Sequence, residues 1–250
     1  MARGGNVVRE RLMLAVMLVV GSMIFFALAE QAGSSLNQFA ERNTSLPSQG
    51  FFAITPAQVQ AFNAGFILIF APILSFIWAK LGQAQCDPNP MVKFGLGLIQ
   101  IGLGFAVLVW GARYADPVFR TPLFFLTFSY LLQTTGELFL SPVGLSEMTK
   151  LAPARMVSTL MAIWFLGASA SQWLAGLIAK TTASETVGGE VLDPGKALAT
   201  YSHTFWIIGL IGIAAGLVFL VLSPWLKHWA HGADDTHPLA EPAPDAPAAG

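Results

Sequence analysis

Two acidic side chains lie inside stretches that are otherwise apolar enough to cross a membrane. Glu137 lies near the middle of one stretch, and Glu30 lies toward the end of another. An ionised carboxylate at membrane depth is costly, so each side chain should face a wet cavity or a partner, or stay protonated. We therefore expect both acids to face a shared aqueous cavity, where they could bind a cation or carry a proton.

Polar residues accompany Glu137 at helical spacing. Gln133, Glu137 and Ser141 are spaced i, i+4 and i+8, so a helix places them on one stripe. Pro142 removes a backbone hydrogen bond one turn after the acid, which predicts a kink or a flexible point.

A second polar face is predicted around Glu30. Its members follow one another at i, i+4, i+7 and i+11: Glu30, Ser34, Asn37 and Glu41. Glu41 is interpreted as a solvated charge at the end of the helix, whereas Glu30 is interpreted as functional.

Three further residues could contact a ligand. Asn63 offers both a donor and an acceptor, although a hydrogen bond between helices is an equally good interpretation. Trp164 and Phe165 lie in mid-span, away from the membrane interfaces where tryptophan usually collects. At least one of them could line a pocket, and a lipid-facing position or core packing is the alternative for both.

The composition is that of an integral membrane protein. The 250 residues are 54% hydrophobic and only 11% charged, and the mean hydropathy is +0.62. A formal net charge of −1 argues against a nucleic-acid partner. The sequence contains no nucleophile–base arrangement, phosphate loop or metal-ligand spacing, so neither an enzyme nor a bound cofactor or metal is predicted.

Apolar segments of transmembrane length predict an all-α membrane protein, a bundle of six helices in the lipid bilayer. No strand is predicted, because the runs are too long and show no period of two. Residues 1–11 are predicted as a cytoplasmic lead and residues 231–250 as a disordered tail rich in Ala, Pro and Asp. Within residues 12–230, the predicted helices are 12–37, 57–80, 92–112, 121–143, 156–180 and 203–228.

The basic residues predict the orientation. On one side of the predicted bundle lie Arg3, Arg9, Arg11, Lys80, Lys93, Lys150, Arg155 and Lys227. On the other side lie Arg42, Arg113, Arg120, Lys180 and Lys196. Since cytoplasmic loops carry the excess of Lys and Arg, both termini are predicted to lie in the cytoplasm.

Several stretches resemble the proton-dependent oligopeptide transporter family, a branch of the major facilitator superfamily. They are FFALAEQAGSSLNQFA, FNAGFILIFAPILSFIWAKLG and GELFLSPVGLSEMTKLAPARMVSTLMAIWFLGASASQWLAG. The resemblance is to helices seven, eight, ten and eleven of that family, and it extends from about Arg9 to Trp229. It implies proton-coupled symport of di- and tripeptides across the inner or plasma membrane, with protons as the coupling ion.

The resemblance also implies a role for each candidate residue. Glu137 matches the helix-ten acid that binds the amino terminus of the peptide, and Asn63 matches the helix-eight asparagine that assists it. Glu30 matches the helix-seven acid linked to proton coupling. The other substrate-binding positions are side-chain-pocket aromatics and one serine of the matching motif: Trp164, Phe165, Phe26 and Ser141.

The resemblance covers only the second half of the family's fold, helices seven to twelve. Substrate sites in this superfamily lie between two halves, so an N-terminal six-helix half is the expected partner. Two alternatives stay open at this point. One is a truncated, non-transporting fragment or partner-binding half, and the other is a carrier of drugs or nitrate on the same fold.

Overall fold

The computed structural model describes residues 2–47, 53–84, 86, 88–183, 186–187 and 190–231. Six helical segments among them are long and apolar enough to cross a membrane. This confirms the predicted all-α, six-helix membrane fold. Of the predicted disordered tail, 231–250, all but His231 lies outside the described residues.

The first span is broken beside Glu30. Helix α1 covers Ala2–Ala29, a 3₁₀ turn covers Glu30–Gly33, and α2 covers Ser35–Asn43. Ser34 joins the turn to α2 with φ −129° and ψ −96°, outside the helical region. The prediction of one continuous helix over 12–37 is therefore wrong. The predicted cytoplasmic lead, 1–11, is helical from Ala2 onward, because α1 begins there.

The remaining helices are longer than predicted where caps extend them. Asn89 Oδ1 accepts from the Met91 N–H at 3.0 Å, and Asp193 Oδ1 accepts from the Lys196 N–H at 2.9 Å. Each cap precedes a proline at the first helical position, which is favourable there. The helices are α3 (Pro56–Val59), α4 (Ala61–Gln83), α5 (Pro90–Gly111), α6 (Leu123–Leu151), α7 (Val157–Thr181) and α8 (Pro194–Ala230).

The predicted fourth and sixth spans need particular correction. Helix α6 continues through Pro142 to Leu151, eight residues beyond the predicted end at 143. Helix α8 begins at Pro194 instead of 203, so the preceding loop is shorter than expected.

Among the described residues, two pairs of very short strands lie between the helices, although no strand was predicted. Thr44–Ser45 pairs in parallel with Thr121–Pro122, and Thr186–Val187 pairs antiparallel with Glu190–Val191. The Thr121 hydroxyl donates to the Asn43 carbonyl at 2.8 Å, which ties the end of α2 to the start of α6.

The core is built around α5, which packs closely against α6 and α8. A Cβ added at Gly102 would lie 2.5 Å from the Gly209 carbonyl oxygen, and one at Gly97 would lie 2.8 Å from the Gly136 carbonyl oxygen. Small residues allow backbones to approach in this way, which is how helices associate in a membrane. The glycines of α5 therefore explain why its span is half buried within the protein.

Helix α4 is packed very differently. None of the residues in its most apolar window is buried, although that window is as apolar as that of α5. Its aromatic contacts with α6 include Trp78 on Phe139, with ring centroids 5.0 Å apart. Helix α4 therefore lies on the side of the bundle with most of its surface available to lipid or to another protein body.

The first and last helices are joined at their ends. Arg11 is 3% exposed, and it donates to the carbonyl oxygens of Ala230 at 3.1 Å and His231 at 3.0 Å. These carbonyls end α8 without partners within the helix, so the guanidinium satisfies them and complements the helix dipole. Arg11, which the sequence analysis treats only as an orientation charge, therefore also joins the start of α1 to the end of α8.

Candidate functional site

Glu137 and Asn63 meet between α6 and α4. The Asn63 Nδ2 donates to Glu137 Oε2 at 3.4 Å, and both side chains are partly buried. A carboxylate in mid-helix that accepts from a neighbouring helix does not point into lipid. The site's central acid therefore lies in the groove between the closely packed helix α6 and the exposed helix α4.

Glu30 lies within electrostatic range of this pair. It is the first residue of the 3₁₀ turn in the first span, it is half-buried, and its negative charge acts on Glu137. Neither carboxylate forms an ion pair with a basic side chain in the part of the chain that the structure describes. Like charges that act on each other repel, and a neighbouring cationic group would lower that repulsion.

A buried amide fixes the turn that presents Glu30. Gln31 is fully buried, and its Nε2 donates to the carbonyl oxygens of Ala27 at 3.0 Å and Ala175 at 3.2 Å. Its Oε1 accepts from the Ser35 hydroxyl at 2.7 Å. The Ala175 bond reaches α7, so Gln31 anchors the broken part of the first span to a neighbouring helix.

Sequence reasoning missed Gln31, although a signal was present. A glutamine inside an apolar span must find hydrogen-bond partners, just as an acid must. The break also corrects the predicted polar face, because Glu30, Ser34, Asn37 and Glu41 do not follow one regular helix. Ser34 instead turns its hydroxyl toward the Glu30 carbonyl oxygen, at 3.4 Å.

The predicted stripe on α6 divides between two surroundings. Gln133 is 5% exposed and donates to the Ser129 hydroxyl at 2.9 Å. Both of these side chains lie against Gly104 of α5, in the packed core. Glu137 turns toward Asn63, and Ser141 is half-buried one turn further on. The stripe therefore places Glu137, and not Gln133, beside α4.

The three aromatic candidates have different environments. Trp164 is 4% exposed and its ring covers Gly144 of α6, whereas Phe165 is 60% exposed. Phe26 is half-buried and meets Phe25 edge-on, with centroids 5.6 Å apart. Trp164 therefore fastens α7 to α6, and Phe165 faces away from the bundle.

A large cavity lies beyond Glu137, toward the Leu151 end of α6. Its volume is about 970 Å³, and its walls include Trp78 of α4 and Pro142 of α6. Lys93, Lys150 and Lys227 line it as well. Lys93 lies over the Trp78 ring at 4.5 Å, and Lys150 pairs with Glu147 at 3.4 Å. Glu137 and Asn63 are not among the lining residues, so this cavity continues the groove between α4 and α6 without including the acid.

Comparison with known proteins gives a consistent result. A sequence profile described as the POT family matches residues 6–194. Dipeptide and tripeptide permease A of Edwardsiella piscicida is 36% identical over 224 residues, which are 90% of this chain and 44% of that protein. Dipeptide and tripeptide permease B of Salmonella typhimurium is 33% identical over 219 residues, with 88% and 44% covered.

A solved structure agrees in fold. The crystal structure of a peptide transporter POT in complex with sulfate superposes with a TM-score of 0.76 at 31% identity. The superposition covers 89% of this chain and 42% of that one. The chain thus spans less than half the length of the relatives it matches.

Proposed function

The chain belongs to the POT family, and we propose that it supplies the C-terminal six-helix half of a proton-coupled symporter of di- and tripeptides. The stretches that resemble helices seven, eight, ten and eleven support the C-terminal assignment. The permeases named for dipeptides and tripeptides, which are similar along most of this chain, support the substrate class.

One observation carries the proposal: Glu137 accepts from Asn63 across the groove between α6 and α4, the charge of Glu30 acts on it, and neither acid forms an ion pair with a described basic residue. The ammonium group of a peptide is a cation that such a site can bind, and a proton is the alternative occupant. A site that accepts one or the other links the binding of a peptide to the movement of a proton.

In the proposed cycle, ionised Glu137 pairs with the peptide ammonium, and the Asn63 amide orients the carboxylate. Glu30 takes up a proton from outside and releases it inside, so its charge state biases the first span against its neighbours. The 3₁₀ turn at Glu30–Gly33 supports this role, because it separates two regular helical segments at the acid.

The other substrate contacts in the proposal are Trp164, Phe165, Phe26 and Ser141. Phe165 projects from the bundle, so it is suited to contact a peptide held between this half and another. Trp164 is the more deeply buried of the two, with its ring on Gly144.

The proposed partner is an N-terminal six-helix half, in the lipid bilayer of the inner or plasma membrane with both termini of this chain in the cytoplasm. The exposed surface of α4 and the coverage of 44% of the permease support it. Substrates in such transporters bind between two halves that rock against each other.

Uptake into proteoliposomes tests the proposal. This chain, reconstituted with a first half from a similar permease, should accumulate a dipeptide when the outside is acidic. Glu137→Gln should abolish accumulation, because an amide cannot pair with an ammonium ion. Glu41→Gln, which changes an exposed acid of α2, is the matched control and should retain uptake. Undiminished uptake by the Glu137 variant would exclude the assigned role.

A further inference from the structure

Two buried hydroxyl groups lie on the same face of α6 as Glu137. Tyr130, Thr134 and Glu137 are spaced i, i+4 and i+7, so their side chains share one side of the helix. Tyr130 is 1% exposed and Thr134 is fully buried. Both lie between Glu137 and the Thr121 end of the span, which the proposed orientation puts outside the cell.

Neither hydroxyl forms a hydrogen bond with any residue that the structure describes. Their neighbours on α6 do, because Thr135 donates to Gln100 Oε1 at 2.7 Å and Ser129 accepts from Gln133 at 2.9 Å. A threonine in a helix can bond the carbonyl one turn earlier, and Thr134 does not. Leaving a buried hydroxyl without a partner is unfavourable, so two on one face beside an acid point to a polar ligand.

The spacing of the three groups suits water as that ligand. The helical rise separates Tyr130 from Thr134 by about 6 Å, and Thr134 from Glu137 by about 4.5 Å, along the axis. The three residues thus lie at successive levels of one face, and a bridging water joins two polar atoms about 5.5 Å apart. The face can therefore carry an alternating series of hydroxyls and waters that ends at the carboxylate.

Helix α4 closes this face. The Phe62 ring meets the Tyr130 ring edge-on, with centroids 6.3 Å apart and an interplanar angle of 88°. The next residue, Asn63, donates to Glu137. The same turn of α4 therefore packs on the Tyr130 ring and holds the acid, so a shift of α4 would change both together.

We propose that Tyr130 and Thr134 hold a short chain of waters that delivers protons from the Thr121 end of α6 to Glu137, an inference that rests on the symport proposed above. Each hydroxyl accepts one proton from the water before it and passes its own to the water after it. The hydroxyls end unchanged, and the carboxylate gains the proton that entered and holds it until the ammonium group of a peptide takes its place. The described ionisable group that acts on Glu137 from a neighbouring element is Glu30, and its negative charge favours this transfer.

Paired transport assays on the two-half transporter test the inference. Tyr130→Phe and Thr134→Val should each slow acid-driven dipeptide accumulation about tenfold, which corresponds to a barrier raised by about 1.4 kcal/mol. Dipeptide counterflow, which needs no net proton movement, should stay at the wild-type rate. Since a chain in series is blocked by one break, the double variant should be no slower than either single variant.

The matched controls remove other buried hydroxyls. Tyr201→Phe and Thr204→Val, both on α8, should leave the ratio of accumulation to counterflow unchanged. Equal losses in the two assays, or full acid-driven accumulation with a raised melting temperature in Tyr130→Phe, would overturn the water chain. A wild-type transporter that does not exchange dipeptides at all would instead overturn the proposed function, and the proposed water chain would fall with it.

Discussion

Helices α5 and α4 have equally apolar spans, yet they are used in opposite ways. Helix α5 presents glycines to α6 and α8, so that backbone lies on backbone. Helix α4 buries none of its most apolar window and meets α6 through single side chains, among them Phe62, Asn63 and Trp78. Helix α5 is therefore part of a rigid scaffold. Helix α4 is less tightly packed, so it can move over the acid on α6.

The largest expected difference between the two regions is in stability. Gly102→Ala on α5 should lower the stability by about 3 kcal/mol, because the new methyl group would overlap the backbone of α8. Gly65→Ala on α4, where a Cβ meets nothing within 4 Å, should instead raise it by about 0.5–1 kcal/mol. Thermal unfolding in detergent measures both. Equal effects at the two positions would show that α4 is packed as tightly as α5.

A smaller loss of stability is expected at Gln31, which anchors the first span to α7. Gln31→Leu removes three buried hydrogen bonds and should cost about 2 kcal/mol. Gln83→Leu, at the exposed end of α4, is the control and should be nearly neutral. A neutral Gln31 variant would mean that the 3₁₀ turn holds its shape without the bond to α7.

The smallest of these effects is expected where α4 touches the acid. Asn63→Ala removes one hydrogen bond to Glu137 and should weaken dipeptide binding about tenfold, with little change in melting temperature. Thr135→Val, which breaks the bond from α6 to Gln100 of α5, should leave dipeptide affinity unchanged. The reverse pattern would place the site on the α5 side of α6.

The sequence predicts the membrane fold well because span length and apolarity are local properties. It also indicates Glu30, Asn63 and Glu137, since polar groups in apolar spans need a partner. It does not predict the break after Ala29, because the Gln31 bond that holds the turn comes from α7.

The sequence likewise does not predict which of two neighbouring aromatic residues is buried. Trp164 and Phe165 are adjacent and similar in chemistry, yet the first is buried on Gly144 and the second is exposed. The position of α6 determines which of the two side chains is buried. The sequence likewise gives no functional signal at Tyr130 and Thr134, because a tyrosine and a threonine in an apolar run are typical of ordinary packing.

The proposed function depends on Glu137, held by α4, recognising the ammonium group of a peptide. Its most direct test compares the affinity of the two-half transporter for a dipeptide and for the same dipeptide with an acetylated amino terminus. The wild type should bind the free amine more tightly by about 10-fold or more, as expected for a lost charge-assisted pair, and Glu137→Gln should bind both alike. Equal binding of the two ligands by the wild type, or an unchanged preference in the variant, would contradict it.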